Sequence, residues 1–338
     1  MTDVAAAAGV SQSTVSRILN RKPGAIPASR ETRERVERAA RELGYRPHPF
    51  ARALHGAPTM LLGAVVRDIT DPFFAEAIEA LTIECSKRGY SVVLGHARTT
   101  ADEALALAGV LEARQCDAIV LVGDFRGERR LVADLRQAPV PVVALWHGSE
   151  RHDRPFPTVT VDSRAGIRAA LTHLTALGHE RIAYVGGALR YVILDREEAY
   201  REFLSADGVG VPAGYVRHVP NTIRGGALAL AELRDLPSPP TAIVAATDVL
   251  AIGIINAALA QRIDVPADLS VVGFDDIALA AGTIPSLTTV HMPIEPMVAE
   301  GVRIAIGETD WDWAAGNDPP RVVFDPNLIV RDSTAPRR

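Results

Sequence analysis

Two rhythms of apolar residues divide the chain near residue 58. From Met60 onward short apolar runs recur: LLGAVV at 61–66, SVVLGH at 91–96, AIVLVG at 118–123 and PVVAL at 141–145. Amphipathic stretches near 72–88, 101–113 and 128–136 separate them, with apolar positions at helical spacing. Runs this short and this uniformly apolar read as buried parallel strands, covered on both faces. After Asp162 the pattern restarts, with RIAYVGG (181–187), TAIVAAT (241–247) and LSVVGFDD (269–276) as strands and helices between them. Repeated βα alternation predicts doubly wound parallel sheets that bind ligands at the strand carboxyl ends. Two series in tandem predict two α/β lobes with a cleft between them.

Before residue 58 the spacing is helical throughout and predicts a small all-α head. DVAAAAG (3–9) reads as a short helix ending at Gly9, where glycine accepts the positive φ of a sharp turn. Ser11 is a natural N-cap for SQSTVSRILN (11–20). In that helix Val15, Ile18 and Leu19 face inward, leaving Gln12, Ser13, Ser16 and Arg17 outward. A third helix over 29–43 puts Val36, Ala39, Ala40 and Leu43 on its apolar side. Two short helices around a glycine turn, the second with a polar face, form a helix-turn-helix that can lay that face in a major groove. Only Met1 and Thr2 precede Asp3, so the first helix is expected to begin without a side-chain cap, and a start upstream of Met1 is expected. The proline and glycine of NRKPGAIPASRET (20–32) predict an exposed loop.

Charge sharpens this division. Residues 1–57 hold ten Lys/Arg against five Asp/Glu, leaving −10 on the rest of a chain whose net charge is −5. A basic head on an acidic body suits a protein in which the head alone meets phosphate. The nearest candidate for a membrane span, 242–260, is interrupted by Asp248 and Asn256 and fits a strand plus a buried helix better. No basic-then-apolar leader opens the chain, and Cys85 and Cys116 form no CxxC pair. A cytoplasmic protein with both thiols in the core, and no membrane partner, is the expectation.

The stretch DVAAAAGVSQSTVSRILN, followed by TRERVERAARELGYRPHPFARAL, resembles the head of the LacI/GalR family of repressors. The body is similar to the same family and to the wider periplasmic sugar-binding fold, through DITDPFFAEAIEAL, VDSRAGIRAALTHLTALGHERIAYVGG and VPADLSVVGFDDIALA with PSLTTV. Together these segments span nearly the whole chain. The resemblance implies a transcription repressor that binds a pseudo-palindromic operator in double-stranded DNA and is controlled by a small sugar-like effector. It implies a helix-turn-helix domain at 1–45, a hinge at 46–57 and a periplasmic-binding-protein-like body at 58–338. The lobes then exchange strands, with about 58–160 plus 290–321 in the first and about 161–289 plus 322–338 in the second, the chain crossing back from about Leu287. The family's extra tetramer-forming heptads are not evident after Arg331, so a homodimer is expected.

Residue by residue, Gln12 and Ser13 match the positions that set operator sequence, and Thr14, Ser16, Arg17 and Asn20 match phosphate or base contacts. Chemically, Gln pairs bidentately with adenine, and Arg with guanine or phosphate. Leu54 matches a leucine that wedges into the minor groove, with Ala51 the small residue allowing close approach; the plainer alternative is a linker carrying one stray leucine. Phe73 matches an aromatic beside the effector, or else is a core residue at a helix start. Arg196 and Asp275 match a guanidinium and a carboxylate that hold ligand hydroxyls facing one another across the cleft; the alternative is an interlobe salt bridge. Thr247 stands where asparagine is usual, Ala199 where glycine is usual, and Trp146 where aspartate is common, offering a stacking surface instead. HVPNTIRGG (218–226) lacks the aromatic often found there.

Two rival classes are weaker. An enzyme would need a reactive constellation, and the chain has no P-loop, GxSxG, HExxH or paired Cys/His set. His173 and His179 read as structural, and neither cofactor nor metal is expected. A secreted sugar-binding protein would suit the body, but not the basic helix-turn-helix.

Overall fold

The computed structural model describes residues 1–19, 29–44, 58–97, 109–110, 116–125, 133, 135, 137–146, 156–187, 192–206, 210–309, 311 and 318–337. The helices expected over 101–113 and 128–136 lie almost wholly outside these residues, as do the loop after Leu19 and the segment 45–57.

The head consists of α1 (Thr2–Ala8), α2 (Gln12–Leu19) and α3 (Arg30–Glu42). Helix α1 has no side-chain cap and stops at Gly9, whose φ of 63° turns the chain into α2. Ser11 Oγ accepts from Thr14 N at 3.2 Å, and Ser29 Oγ accepts from Thr32 N at 3.2 Å, so each later helix opens on a serine cap. Val4, Ala5, Ala8, Val15, Ile18, Val36, Ala39 and Ala40 form the head core. Leu43 does not join it: the residue caps α3 at its C-terminus, past the last full turn of the stripe, and is 50% exposed.

The body contains two sheets. The first comprises β1 (Leu61–Val66), β2 (Ser91–His96), β3 (Ala118–Val122), β4 (Val142–Leu145), β5 (Thr158–Val161) and β11 (Arg321–Phe324). Its order is β11-β5-β4-β3-β1-β2, parallel throughout. The second comprises β6 (Ile182–Gly187), β7 (Val216–Val219), β8 (Ala242–Ala245), β9 (Ser270–Asp275), β10 (Thr288–His291) and β12 (Asn327–Ile329). It repeats the same order, β12-β10-β9-β8-β6-β7, but β12 runs antiparallel to β10. Helices α4 (Pro72–Lys87), α5 (Ser163–Ala176), α6 (Val192–Ser205), α7 (Ile223–Arg234), α8 (Asp248–Ala260), α9 (Ala278–Gly282) and α10 (Ile294–Ala305) complete the described elements. The apolar stretch at 242–260 is a strand and a buried helix, β8 and α8.

The chain passes between lobes three times: at Asp162, between His291 and Ile294, and between Phe324 and Asn327. The second passage is later than Leu287, because Thr288–His291 still pairs with β9. Helix α10 then packs on α4 and β4 of the first lobe. The last passage also falls a few residues late, because Arg321–Phe324 pairs with β5. SVVLGH is parallel as expected but not buried: β2 has only β1 beside it, and Val93 and Leu94 are exposed. Cys85 and Cys116 are buried free thiols, pushed up to about 11 by burial, and therefore inert at neutral pH. His179 is buried, with ring nitrogens near Thr241 Oγ1 (3.0 Å), Ser270 Oγ (3.0 Å) and the Ala335 carbonyl (3.1 Å), and burial depresses its basicity. That is a structural histidine tying the C-terminal tail to the second sheet.

Candidate functional site

The head presents one polar face. Gln12, Ser13 and Arg17 are exposed and Thr14 and Ser16 half-buried, while Val15 and Ile18 turn inward. Hydrogen bonds hold this face in place. Gln12 Nε2 donates to Thr2 Oγ1 at 2.8 Å, the Ser11 and Ser13 hydroxyls lie 2.8 Å apart, and Arg17 donates to Thr14 Oγ1 at 3.3 Å. Asn20, Ala51 and Leu54 lie outside the described residues.

The second candidate site is a cavity of about 470 Å³ between the lobes, at the carboxyl ends of both sets of strands. All five residues singled out from the sequence line it: Phe73, Trp146, Arg196, Thr247 and Asp275. The first lobe supplies an aromatic corner. Phe73 packs edge-on against Trp146 at 5.1 Å between centroids and against Phe74 at 5.3 Å. Trp146 ends β4 with a φ of 57°, which swings its ring off the strand and toward the cavity.

The second lobe supplies a buried ion pair. Arg196, in α6, is 3% exposed and donates from two guanidinium nitrogens to Asp275 Oδ1, each at 3.4 Å. It also donates to the Ala246 carbonyl and lies 3.5 Å over the Phe274 ring. The expected opposition of Arg196 and Asp275 across the cleft is therefore corrected: α6 follows β6 and Asp275 ends β9, so both belong to the second lobe and pair within it. Asp275 has a φ of 114° and Asp276 one of 58°, so β9 ends in a sharp reversal. The reversal aims Asp275 at Arg196 while Asp276 accepts from Arg331 at 2.6 Å and contacts His291 at 2.9 Å.

Burial pushes the Asp275 carboxyl well above the usual carboxylate range, more strongly than Arg196 pulls it down. Behind it Asp248 is fully buried, accepting from Ile277 N at 2.9 Å and from the Thr289 hydroxyl, and burial raises it to about 7. Two buried donors on the cavity wall, Trp146 Nε1 and Arg196 Nε, have no acceptor among the described residues. Orphaned buried donors are costly and mark where a ligand's oxygen can sit. Among the described residues no group of three or more His, Cys, Asp or Glu is arranged to hold a metal ion, and no helix is long and apolar enough to cross a membrane.

Sequence reasoning missed the residues that bridge the lobes. Asn221 Nδ2 donates to Asp71 Oδ2 at 2.9 Å, and its Oδ1 accepts from Thr247 at 2.6 Å, linking the amino ends of α4 and α8. Glu76 accepts from Ala278 N at 2.7 Å. Asp71 caps α4, and nothing local announces its bond to a residue 150 positions away.

Residues 1–48 match the family model described as bacterial regulatory proteins, lacI family, and 171–334 match that of the periplasmic binding protein-like domain. The chain is 32% identical over 335 residues to the HTH-type transcriptional repressor CytR of Escherichia coli, covering 99% of this chain and 96% of that one. It is 35% identical to the HTH-type transcriptional regulator MalR of Streptomyces coelicolor over 99% of this chain and 96% of that one. A lac repressor dimer bound to operator and the anti-inducer ONPF superposes with a TM-score of 0.83 at 26% identity, over 98% of each chain. A complex of the transcriptional regulator CelR with cellobiose superposes with a TM-score of 0.71 at 30% identity, again over 98% of each.

Proposed function

The chain belongs to the LacI family of bacterial transcription regulators, and on that footing we propose that it is a repressor whose hold on a specific operator is set by a small polar ligand in the cleft. Helix α2 enters the major groove, Gln12 and Ser13 read bases, and Thr14, Ser16, Arg17 and Asn20 engage phosphates or neighbouring bases. The segment 46–57 forms the hinge, with Leu54 wedging into the minor groove beside Ala51. Domain 1–45 binds DNA, and 58–338 binds the ligand and a second copy of the chain. The site of action is the cytoplasm, where the operator is.

The observation that carries this reading is the cavity itself. It is lined by both lobes, crossed by the chain three times nearby, and spanned by the Asp71–Asn221–Thr247 bridge. A ligand that binds one arrangement of the lobes more tightly than another shifts the balance between them. Ile83, Val93 and Leu94 on the first lobe, and Leu228 and Leu259 on the second, are large exposed apolar residues that suit burial against a partner copy.

Selection of bound sequences from random DNA tests the first half. It is expected to return one palindromic site whose half-sites change when Gln12 and Ser13 are exchanged. Recovery of unrelated sequences, or binding by residues 58–338 alone, would contradict the reading.

A further inference from the structure

Among the helices whose amino ends meet the cleft are α4, α5 and α8, and such ends are where an anion is ordinarily seated. Here the chain fills all three itself. Asp71 Oδ1 accepts from Phe73 N at 3.0 Å, Asp162 Oδ1 from Ala165 N at 2.8 Å, and Thr247 Oγ1 from Leu250 N at 3.4 Å. Two of these three caps are carboxylates, so the partial positive charge that would hold a phosphate is already answered.

The rest of the described lining leans the same way. Six carboxylates and four guanidiniums face the cleft. Of the guanidiniums, Arg196 is committed to Asp275 and the Ala246 carbonyl, and Arg164 to Glu198 and Glu202. Arg67 lies over the Phe125 ring, and Arg321 stands exposed at the start of β11. Hydrogen-bonding capacity agrees with charge. A wall rich in carboxylates asks for donors, while Trp146 Nε1 and Arg196 Nε ask for acceptors. A sugar hydroxyl supplies both, whereas a phosphate dianion supplies acceptors alone.

Resting on the ligand-controlled reading above, we infer that the cleft selects uncharged saccharides against their phosphorylated forms, with Asp71 and Asp162 as the excluding groups. These two residues set specificity by occupying the helix ends that a phosphate would otherwise take.

The test uses the full-length protein and matched pairs: glucose and glucose 6-phosphate, trehalose and trehalose 6-phosphate, cellobiose and cellobiose 6′-phosphate, with inorganic phosphate alone as a further probe. Binding is followed by tryptophan fluorescence and by thermal stabilisation. In any pair that binds, the neutral member is expected to bind roughly tenfold tighter or more, chiefly through like-charge repulsion at Asp71, since Asp162 is partly exposed and has Arg168 at 3.8 Å. Inorganic phosphate is expected to give no stabilisation. Asp162→Asn retains an oxygen for the Ala165 N–H but removes the charge, so it should narrow the gap within a pair. Asp71→Asn provides an independent second reading should the first variant fold poorly. A phosphorylated member that binds as tightly as its neutral partner, or a gap unchanged in both variants, overturns the inference while leaving ligand control intact. If no member of any pair binds, the ligand-controlled reading fails for these sugars and the inference falls with it.

Discussion

In the first lobe β4 leads directly into Trp146; in the second lobe its counterpart β9 ends in Asp275. Both residues take a positive φ, 57° and 114°, so the same kink at the same strand end turns an indole toward the cleft from one side and a carboxylate from the other. The helices after the first strands differ in the same sense. Helix α4 brings Phe73 and Phe74, and α6 brings Arg196. At these positions a repeated topology carries two chemistries, an aromatic corner in one lobe and a buried ion pair in the other, with further charged residues of both lobes around them. Because both lobes line the cleft, neither alone contains the whole site, and on the function proposed above a ligand there bears on how the lobes close.

The largest expected effect of breaking this division is in the polar wall. Arg196→Ala strands the Asp275 carboxylate in a buried setting, and removing one partner of a buried pair costs about 3–5 kcal/mol. Denaturant unfolding should show that loss, and operator release should need roughly ten- to hundredfold more ligand. In the aromatic corner, Trp146→Phe keeps a ring but removes an N–H that has no acceptor among the described residues. Its stability cost should be about 1–2 kcal/mol, below that of Arg196→Ala, with the ligand response weakened more than the fold. Equal stability losses in the two variants would erase the contrast.

Packing offers a second contrast. A Cβ at Gly253 would lie 2.2 Å from the Ile223 carbonyl oxygen, where α7 and α8 cross backbone to backbone. A Cβ at Gly301 would lie 2.4 Å from a Leu145 methyl, which can rotate away. Gly253→Ala should therefore cost about 1–3 kcal/mol, exceeding the gain in helix propensity, and Gly301→Ala well under that. The unfolding midpoints of the two variants decide it.

Smaller still is a pH effect confined to the second lobe. Asp248 is raised to about 7, so the folded protein keeps a proton that the unfolded chain releases near pH 4. Its contribution to stability is therefore present at low pH and is lost as pH rises through 7, by about 1 kcal/mol or more. Asp248→Asn should flatten the stability profile between pH 5 and 8. An unaltered slope there would mean that the carboxylate is ionised in the fold.

Much of this arrangement was legible in the sequence because it rests on local pattern. Apolar runs such as AIVLVG become buried central strands, and Ser11 before α2 becomes a cap. The short polar β7 (VRHV) and the two last strands, β11 and β12, gave no such signal, since their pairing depends on where the chain crosses between lobes. The same limit applied to the site. Phe73, Trp146, Arg196, Thr247 and Asp275 could be picked out one by one, and they do meet in one cleft. That Arg196 and Asp275 share a lobe, or that Asn221 reaches Asp71, follows from long-range packing and from nothing local. Leu43 shows the converse, where a continued apolar period overran the end of its helix.

The central claim is that occupancy of this cleft and hold on DNA are one equilibrium. The most direct measurement titrates the full-length protein, bound to its selected palindrome, with whichever neutral saccharide of the pairs above binds, reading tryptophan fluorescence and operator affinity together. Coupling between two sites is reciprocal. The account predicts that both signals move with linked midpoints, that operator DNA shifts ligand affinity by the same factor, and that Arg196→Ala moves both midpoints together. Ligand binding that leaves operator affinity unchanged, or operator affinity that responds equally in wild type and Arg196→Ala, would contradict it.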